Sequence, residues 1–241
     1  MIMATLLWKK RGTPGDSPGA RAAFTLIELL VVITIIGMLA ALIGPAIARG
    51  LTAARATQCS GNLRQLAIAV GLYADDANDF FPRSQHSAFS HRDIPWERSI
   101  APYLGSSTTS WRDLLQGVYV CPSDSRAQTL GYGLNVYMEL GPDDDYEGKP
   151  DTWRRRMDIP MPESTILFAE NASAADHIMP NFWTSPRDAE DVDAGRHGGE
   201  ANYAFVDGHV TLFEFSNTFS SAVDRWNPGK NYMLNQKQDA P

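Results

Sequence analysis

The chain of 241 residues has two cysteines, Cys59 and Cys121. That count excludes a disulfide-rich scaffold, and a pair this far apart in the sequence does not make a zinc motif by spacing. Basic residues are also short, with 21 Lys and Arg against 28 Asp and Glu and a formal charge of −7. A nucleic-acid partner is thereby disfavoured, since phosphate contacts need Lys and Arg. No H-E-x-x-H, P-loop or G-x-G-x-x-G pattern occurs, no nucleophile can be paired with a base, and the chain reads as neither an enzyme nor a cofactor carrier. His86, His91 and His177 read as surface residues of loops. Charge itself is nearly absent from one long stretch: in residues 24–48 the only charged side chain is Glu28.

That stretch, FTLIELLVVITIIGMLAALIGPAIA, organises the rest. At about 1.5 Å per residue a helix of this length crosses the roughly 30 Å hydrocarbon core of a bilayer. It exceeds the apolar core of about 7–15 residues in a secretory signal, and no A-x-A site follows it. As a plain anchor it would carry Glu28 against a cost of roughly 2.5–3.5 kcal/mol at the bilayer centre, unless the carboxylate snorkels to the headgroups. Residues 1–23 hold Gly, Pro and Ser around Lys9, Lys10, Arg11 and Arg21 and read as a leader without a fold. Four basic residues before the stretch against Arg49, Arg55 and Arg64 after it give only a small positive-inside bias.

Ala23-Phe24-Thr25-Leu26-Ile27-Glu28-Leu29-Leu30 resembles the cleavage and methylation site of type IV prepilins and type II secretion pseudopilins. The resemblance implies that a prepilin peptidase cuts between Ala23 and Phe24 on the cytoplasmic side and that the new amine of Phe24 is methylated. Counting from Phe24, Glu28 falls at the fifth place, where the family keeps a glutamate. Pro45 falls at the twenty-second, where many members carry a helix-kinking proline. Residue 23 is Ala where the family usually has Gly; both are small. In a fibre the Glu28 carboxylate would pair with a neighbour's N-terminal ammonium, which favours one axial register because the alternative is an unpaired buried charge. The resemblance, more than the count of basic residues, puts the N-terminus in the cytoplasm and the remaining domain outside a single-pass membrane helix.

Further along, Cys59, Leu63, Leu66, Val70, Tyr73 and Ala77 recur at helical spacing, and Asp75, Asp76, Asn78 and Pro82 supply stop signals. The expected organisation is a leader over 1–23, a membrane helix over 24–48, an amphipathic continuation over 49–77 and an extracytoplasmic α+β domain over 78–241. The continuous helix would be bent near Pro45. Residues 78–117 read as irregular with aromatic plugs at Trp96 and Tyr103, and 118–121 and 132–136 as short strands. Residues 165–169 (TILFA) read as the central strand and 171–200 as a long loop. Asp207-Gly208 between β-rich runs predicts a two-residue type I′ hairpin with positive φ at both positions. That turn would set Phe205 opposite Val210 and Tyr203 opposite Leu212, on the face toward the helix. The tail would dock through Trp226 and Tyr232. The fold implied by the resemblance is pilin-like: a long N-terminal helix packed on an antiparallel sheet.

Cys59-Ser60-Gly61-Asn62-Leu63-Arg64-Gln65-Leu66, Cys121-Pro122-Ser123-Asp124 and His197 followed after nine residues by Asp207-Gly208 resemble segments of one pseudopilin-like subgroup. Cys59 and Cys121 could form one bridge, worth roughly 4 kcal/mol in the loop-entropy model, or stay as two buried thiols. His197, Asp207 and His209 contain metal-ligand atoms, but a turn role for Asp207 and a loop hydrogen bond for His197 account for them without an ion. Asp143, Asp144 and Asp145 carry oxygens that calcium could use, and read as solvated. Arg154–Arg156 read as surface charges or as partners for local acids. The resemblance implies a structural subunit that assembles with other pilin-like subunits and an export machinery. The alternative is an anchored surface protein whose loops over 84–116 and 171–200 bind a polymer or another cell-surface component.

Overall fold

The computed structural model describes residues 24–106, 110, 113, 116–126, 129–140, 153–173 and 175–238. The leader with Ala23, and Asp143, Asp144 and Asp145, lie outside the described residues. Helix α1 spans Leu26–Asp76 and contains Pro45. The chain divides into two units, residues 1–47 and 48–241. In the first, the described apolar side chains such as Ile27, Leu30, Ile36 and Leu42 are all exposed. The helix is long and apolar enough here to cross a membrane.

In the second unit the helix becomes one-sided, as its spacing predicts. Cys59, Leu63, Leu66 and Val70 are buried, with Asn62, Ala67, Ala69 and Ala74 beside them. Full burial of Leu63 and Leu66 stabilises the fold by roughly 1.5–3 kcal/mol each. Tyr73 packs at the edge of the same cluster. Beyond the helix end, Arg156 pairs with Asp75 at 2.6 Å and Asp79 at 3.1 Å. Arg154 is not a surface charge: it is half-buried, and desolvation lowers its pKa to about 10.

The sheet has five strands in the order β3-β1-β2-β4-β5: β1 Tyr132–Asn135, β2 Ile166–Glu170, β3 His177–Ile178, β4 Ala201–Phe205 and β5 Val210–Phe213. It is mixed rather than antiparallel, because β3 pairs parallel to β1. The chain reverses after β2 and returns on the far side of β1. Gly133 admits this approach, since a Cβ there would lie 2.9 Å from Ile178 Cγ1 and 3.1 Å from the His177 carbonyl carbon. Residues 171–200 are therefore not simply a loop, and His177 is a half-buried strand residue. Residues 117–121 differ from expectation too: Gly117–Tyr119 is a 3-10 turn. The Val120 carbonyl accepts from Asn62 Nδ2 at 3.0 Å, so a helix side chain replaces a strand partner.

The hairpin turn is one residue longer than expected. Gly208 N–H donates to the Phe205 carbonyl, Phe205 N–H donates to the His209 carbonyl, and only Gly208 has a positive φ, at +91°. This is a three-residue loop ending in a left-handed glycine, in place of the two-residue turn. Pairing consequently runs Ala204↔Val210, Tyr203↔Thr211 and Asn202↔Leu212. Ala204 and Val206 join α1 in one core, while Tyr203 and Phe205 pack with Trp183 and Trp226 in a second.

Two short helices, α2 Gln85–His91 and α3 Trp96–Ser99, occupy the segment read as irregular. Trp96 is a fully buried plug, and Tyr103 meets Tyr73 edge-on at 6.4 Å. A last helix, α4 Pro228–Gln238, follows Trp226, which is buried, whereas Tyr232 is exposed.

Candidate functional site

The N-terminal segment begins α1 with a reciprocal cap. Thr25 N–H and Thr25 Oγ1 donate to Glu28 Oε2 at 2.9 and 2.8 Å, and Glu28 N–H donates back to Thr25 Oγ1 at 3.3 Å. This is the T-x-x-E capping box, which satisfies helix N–H groups that have no intrahelical acceptor. Phe24 lies immediately before it and is exposed. Glu28 thus has a role within its own chain that the sequence reading missed, although Thr25 and Glu28 at this spacing carry the signal.

The second constellation ties α1 to the sheet. Cys59 on α1 and Cys121 beyond the 3-10 turn form a disulfide with Cα atoms 5.1 Å apart. Against it lies Glu170, the last residue of β2, whose Oε1 is 3.7 Å from Cys121 Sγ. A carboxylate buried here is held by three groups: His197 Nε2 at 2.7 Å and Asn202 Nδ2 at 3.1 Å on Oε1, and Asn202 N–H at 3.0 Å on Oε2. Tyr132 Oη, also buried, donates to the Cys59 carbonyl at 3.3 Å. Alongside, Arg196 donates to the Gly131 carbonyl at 2.9 Å and pairs with Asp193 at 2.8 Å and Asp124 at 3.4 Å. Arg126 binds the same Asp124 and the Asn171 carbonyl. The separated segments around Cys59, Cys121–Asp124 and His197 therefore meet at one place.

Asp207 and His209 lie elsewhere in the bonding pattern. Asp207 Oδ1 accepts from His209 N–H at 3.0 Å and contacts His209 Nδ1 at 2.6 Å, and the imidazole stacks on Phe205 at 4.3 Å. The group of metal-binding residue types found among the described residues contains His197 with Cys59, Cys121 and Glu170, and neither Asp207 nor His209. A set of His197, Asp207 and His209 is thus not what the fold assembles. Glu170 and Asn202 went unnoticed in the sequence because nothing in ILFAE or ANYAF marks a single polar residue as facing α1.

A third polar group is buried between α3, β3 and the turn after β1. Trp96 Nε1 donates to the Asp176 carbonyl at 2.9 Å, and Asp176 Oδ1 lies 2.9 Å from His177 Nδ1. This hydrogen bond chiefly raises the His177 pKa. Glu139 accepts from the Ser84 N–H and from Ser84 Oγ, and burial raises its pKa. Glu97 accepts from Gln85 Nε2 at 3.1 Å through Oε1, while Oε2 has no donor among the described residues. Burial, and next the charge of Asp176, push the Glu97 pKa up to about 8. A carboxyl with a raised folded pKa stabilises fully below its unfolded value of 4.5, and that contribution is lost as pH rises through about 8. Unfolding free energy should therefore fall between pH 6 and pH 9 by an amount on the order of a few kcal/mol. Glu97→Gln should flatten that slope and be the more stable form at pH 9. Denaturant titrations of both chains at the two pH values check this, and an unchanged slope in the variant would contradict it.

The fold and the capped apolar helix together define a pilin-like protein, and the comparisons with known sequences agree. Residues 19–44 match the prokaryotic N-terminal methylation motif. Residues 51–172, half of the chain, match the family described as "Protein of unknown function (DUF1559)", and the chain belongs to that family. It is also similar to the type II secretion system core protein G of Pseudomonas aeruginosa (strain PAO1), 37% identical over 65 residues, which is 27% of this chain and 45% of that relative. The chain thus spans less than half the length of this relative in the match. No solved structure matches. Pilin-like and pseudopilin families are structural rather than catalytic.

Proposed function

We propose that the chain is a pseudopilin-like structural subunit. A prepilin peptidase removes residues 1–23, the amine of Phe24 is methylated, and the subunit leaves the cytoplasmic membrane to join a fibre of pilin-like subunits through its apolar helix. The domain lies outside the membrane, and the chain needs no catalytic site of its own. The observation that carries this reading is the methylation motif over residues 19–44 joined to an apolar helical stretch whose described side chains are exposed. Side chains such as Ile33, Ile36 and Leu39 are exposed among the described residues, and lipid or neighbouring helices would cover them. The similarity to a type II secretion core protein supports a secretion pseudopilus over other fibres. The test is recovery of the chain in filaments sheared from cells of its own host. A chain that is always retained in the membrane fraction would favour the anchored surface protein instead.

A further inference from the structure

The disulfide, Glu170 and His197 raise a question that the fibre reading leaves open: why a carboxylate and an imidazole are buried against a sulfur pair. We propose that this lock has a second, metal-bound state, in which reduction of the disulfide lets Cys59, Cys121, Glu170 and His197 hold one Zn²⁺.

The donor set carries the argument. Cys59 Sγ, Cys121 Sγ, a Glu170 carboxylate oxygen and a His197 ring nitrogen lie within 4.8 Å of one another, and all four residues are buried. Tetrahedral zinc with bonds of about 2.0–2.3 Å needs ligand atoms roughly 3.3–3.8 Å apart. The two sulfurs must separate from their bonded distance, and reduction does this because unbonded sulfurs cannot stay in bonding contact. Two thiolates, one imidazole and one carboxylate match zinc, whereas calcium and magnesium select oxygen.

The surroundings fit a ligand shell. Asn202 fixes the Glu170 carboxylate from its backbone N–H and its side-chain amide, as outer hydrogen bonds orient metal-bound carboxylates. His197 Nε2 meets Glu170 Oε1 at 2.7 Å beside the disulfide, and a metal at Nε2 would take the place of that contact and leave the ring proton on Nδ1, which has no partner among the described residues. A groove of about 730 Å³ lined by Ala56, Ser60, His197 and Asn202 gives an entry path. Charge is conserved as well. A disulfide beside one carboxylate carries one negative charge, and so does a zinc dication with two thiolates and that carboxylate. Metal binding thus adds no net charge to a buried site, which would otherwise be costly.

The chemistry balances by exchange. One thiol molecule opens the Cys59–Cys121 bond to a mixed disulfide and frees one cysteine thiol, and a second attacks the mixed disulfide, frees the other cysteine thiol and leaves with the first as their own disulfide. Zn²⁺ then displaces both thiol protons to solvent. In reverse, a small-molecule disulfide accepts two electrons and two protons, the cysteines rejoin and zinc is released.

Full-length chain in detergent, reduced anaerobically with a phosphine that leaves as its oxide with an oxygen from water, is titrated with Co²⁺ as the spectroscopic substitute for zinc. Circular dichroism follows folding in parallel. The reduced chain should bind one Co²⁺ with the intense visible bands of a four-coordinate, sulfur-ligated ion, and Zn²⁺ should bleach them. The oxidised chain should show none. Asn202→Ala keeps all four ligands and should weaken Co²⁺ binding by about 10–100-fold, and His197→Ala should lose the four-coordinate bands. The proposal is overturned if the reduced, folded chain yields no such bands, if the oxidised chain binds equally, or if the reduced chain is unfolded with and without metal.

Discussion

Chains carrying Glu28→Ala are expected to accumulate in the membrane and to be absent from sheared fibres, an essentially complete loss of assembly with unchanged membrane insertion. The substitution removes one charge from an otherwise apolar helix, so insertion becomes easier. It should not reach the second unit of the chain, which has its own core. Two physical roles could underlie the loss. Glu28 caps its own helix through Thr25, and in a fibre it would pair with the ammonium of a neighbouring Phe24. Glu28→Gln separates them, because glutamine can complete a capping box but cannot offer a negative charge. If charge pairing sets the axial register, Glu28→Gln fails as Glu28→Ala does. Fibre recovery with Gln would leave capping as the role, and recovery with Ala would remove Glu28 from the assembly mechanism. Quantitative immunoblots of the sheared and membrane fractions read both variants.

Glu170→Leu should cost about 3–5 kcal/mol of unfolding free energy even with the disulfide intact. Removing one member of a buried charged network leaves the others desolvated and unpaired, and that is the expensive way to break it. Here the stranded groups are His197 Nε2 and Asn202 N–H. Glu170→Gln retains an acceptor oxygen and should cost less. Denaturant unfolding of the oxidised chains measures both. A Glu170→Leu chain within about 1 kcal/mol of wild type would show that the carboxylate is not a structural tie, since that is the range of an ordinary substitution. Because α1 enters this network at Cys59 and through the Ala56 carbonyl, which accepts from Asn202 Nδ2 at 3.4 Å, loss of Glu170 should also loosen the helix from the domain. Faster amide exchange at residues 56–63 would register that.

The local signals in the sequence and the long-range ones fared differently. The extent of α1 and the inward face running from Cys59 to Val70 could be read directly, because a helix declares itself by period and by its stop residues. Strand β2 was legible as a short β-rich run between Pro162 and Asn171. What failed was decided by contacts between distant segments. Strand β3 has two residues and exists because β1 offers an edge and Gly133 leaves room. Residues 118–121 look like a strand, yet Asn62 on α1 takes the Val120 carbonyl. The hairpin was correctly located at Asp207-Gly208 but given the wrong loop length, so Tyr203 pairs with Thr211 rather than Leu212, and Tyr203 packs on the Trp226 side rather than the helix side. At the lock, the cysteines and His197 stood out by residue type. Glu170 did not, because an acid at the end of an apolar strand ordinarily marks the way out to solvent. The cluster of Glu97, Asp176 and His177 was equally hidden, since its members come from α3, from β3 and from the residue before β3, and both elements are too short to predict.

The central claim is that the apolar helix is kept and the leader is lost. The most direct measurement is the intact mass and N-terminal sequence of the protein extracted from membranes of its own host. The account predicts a chain that starts at N-methylated Phe24 and runs through the capped helix. A chain that retains residues 1–23 would contradict processing and make the helix a permanent anchor. A chain that starts after residue 48 would make residues 24–48 an ordinary signal segment, and assembly through that helix would be ruled out.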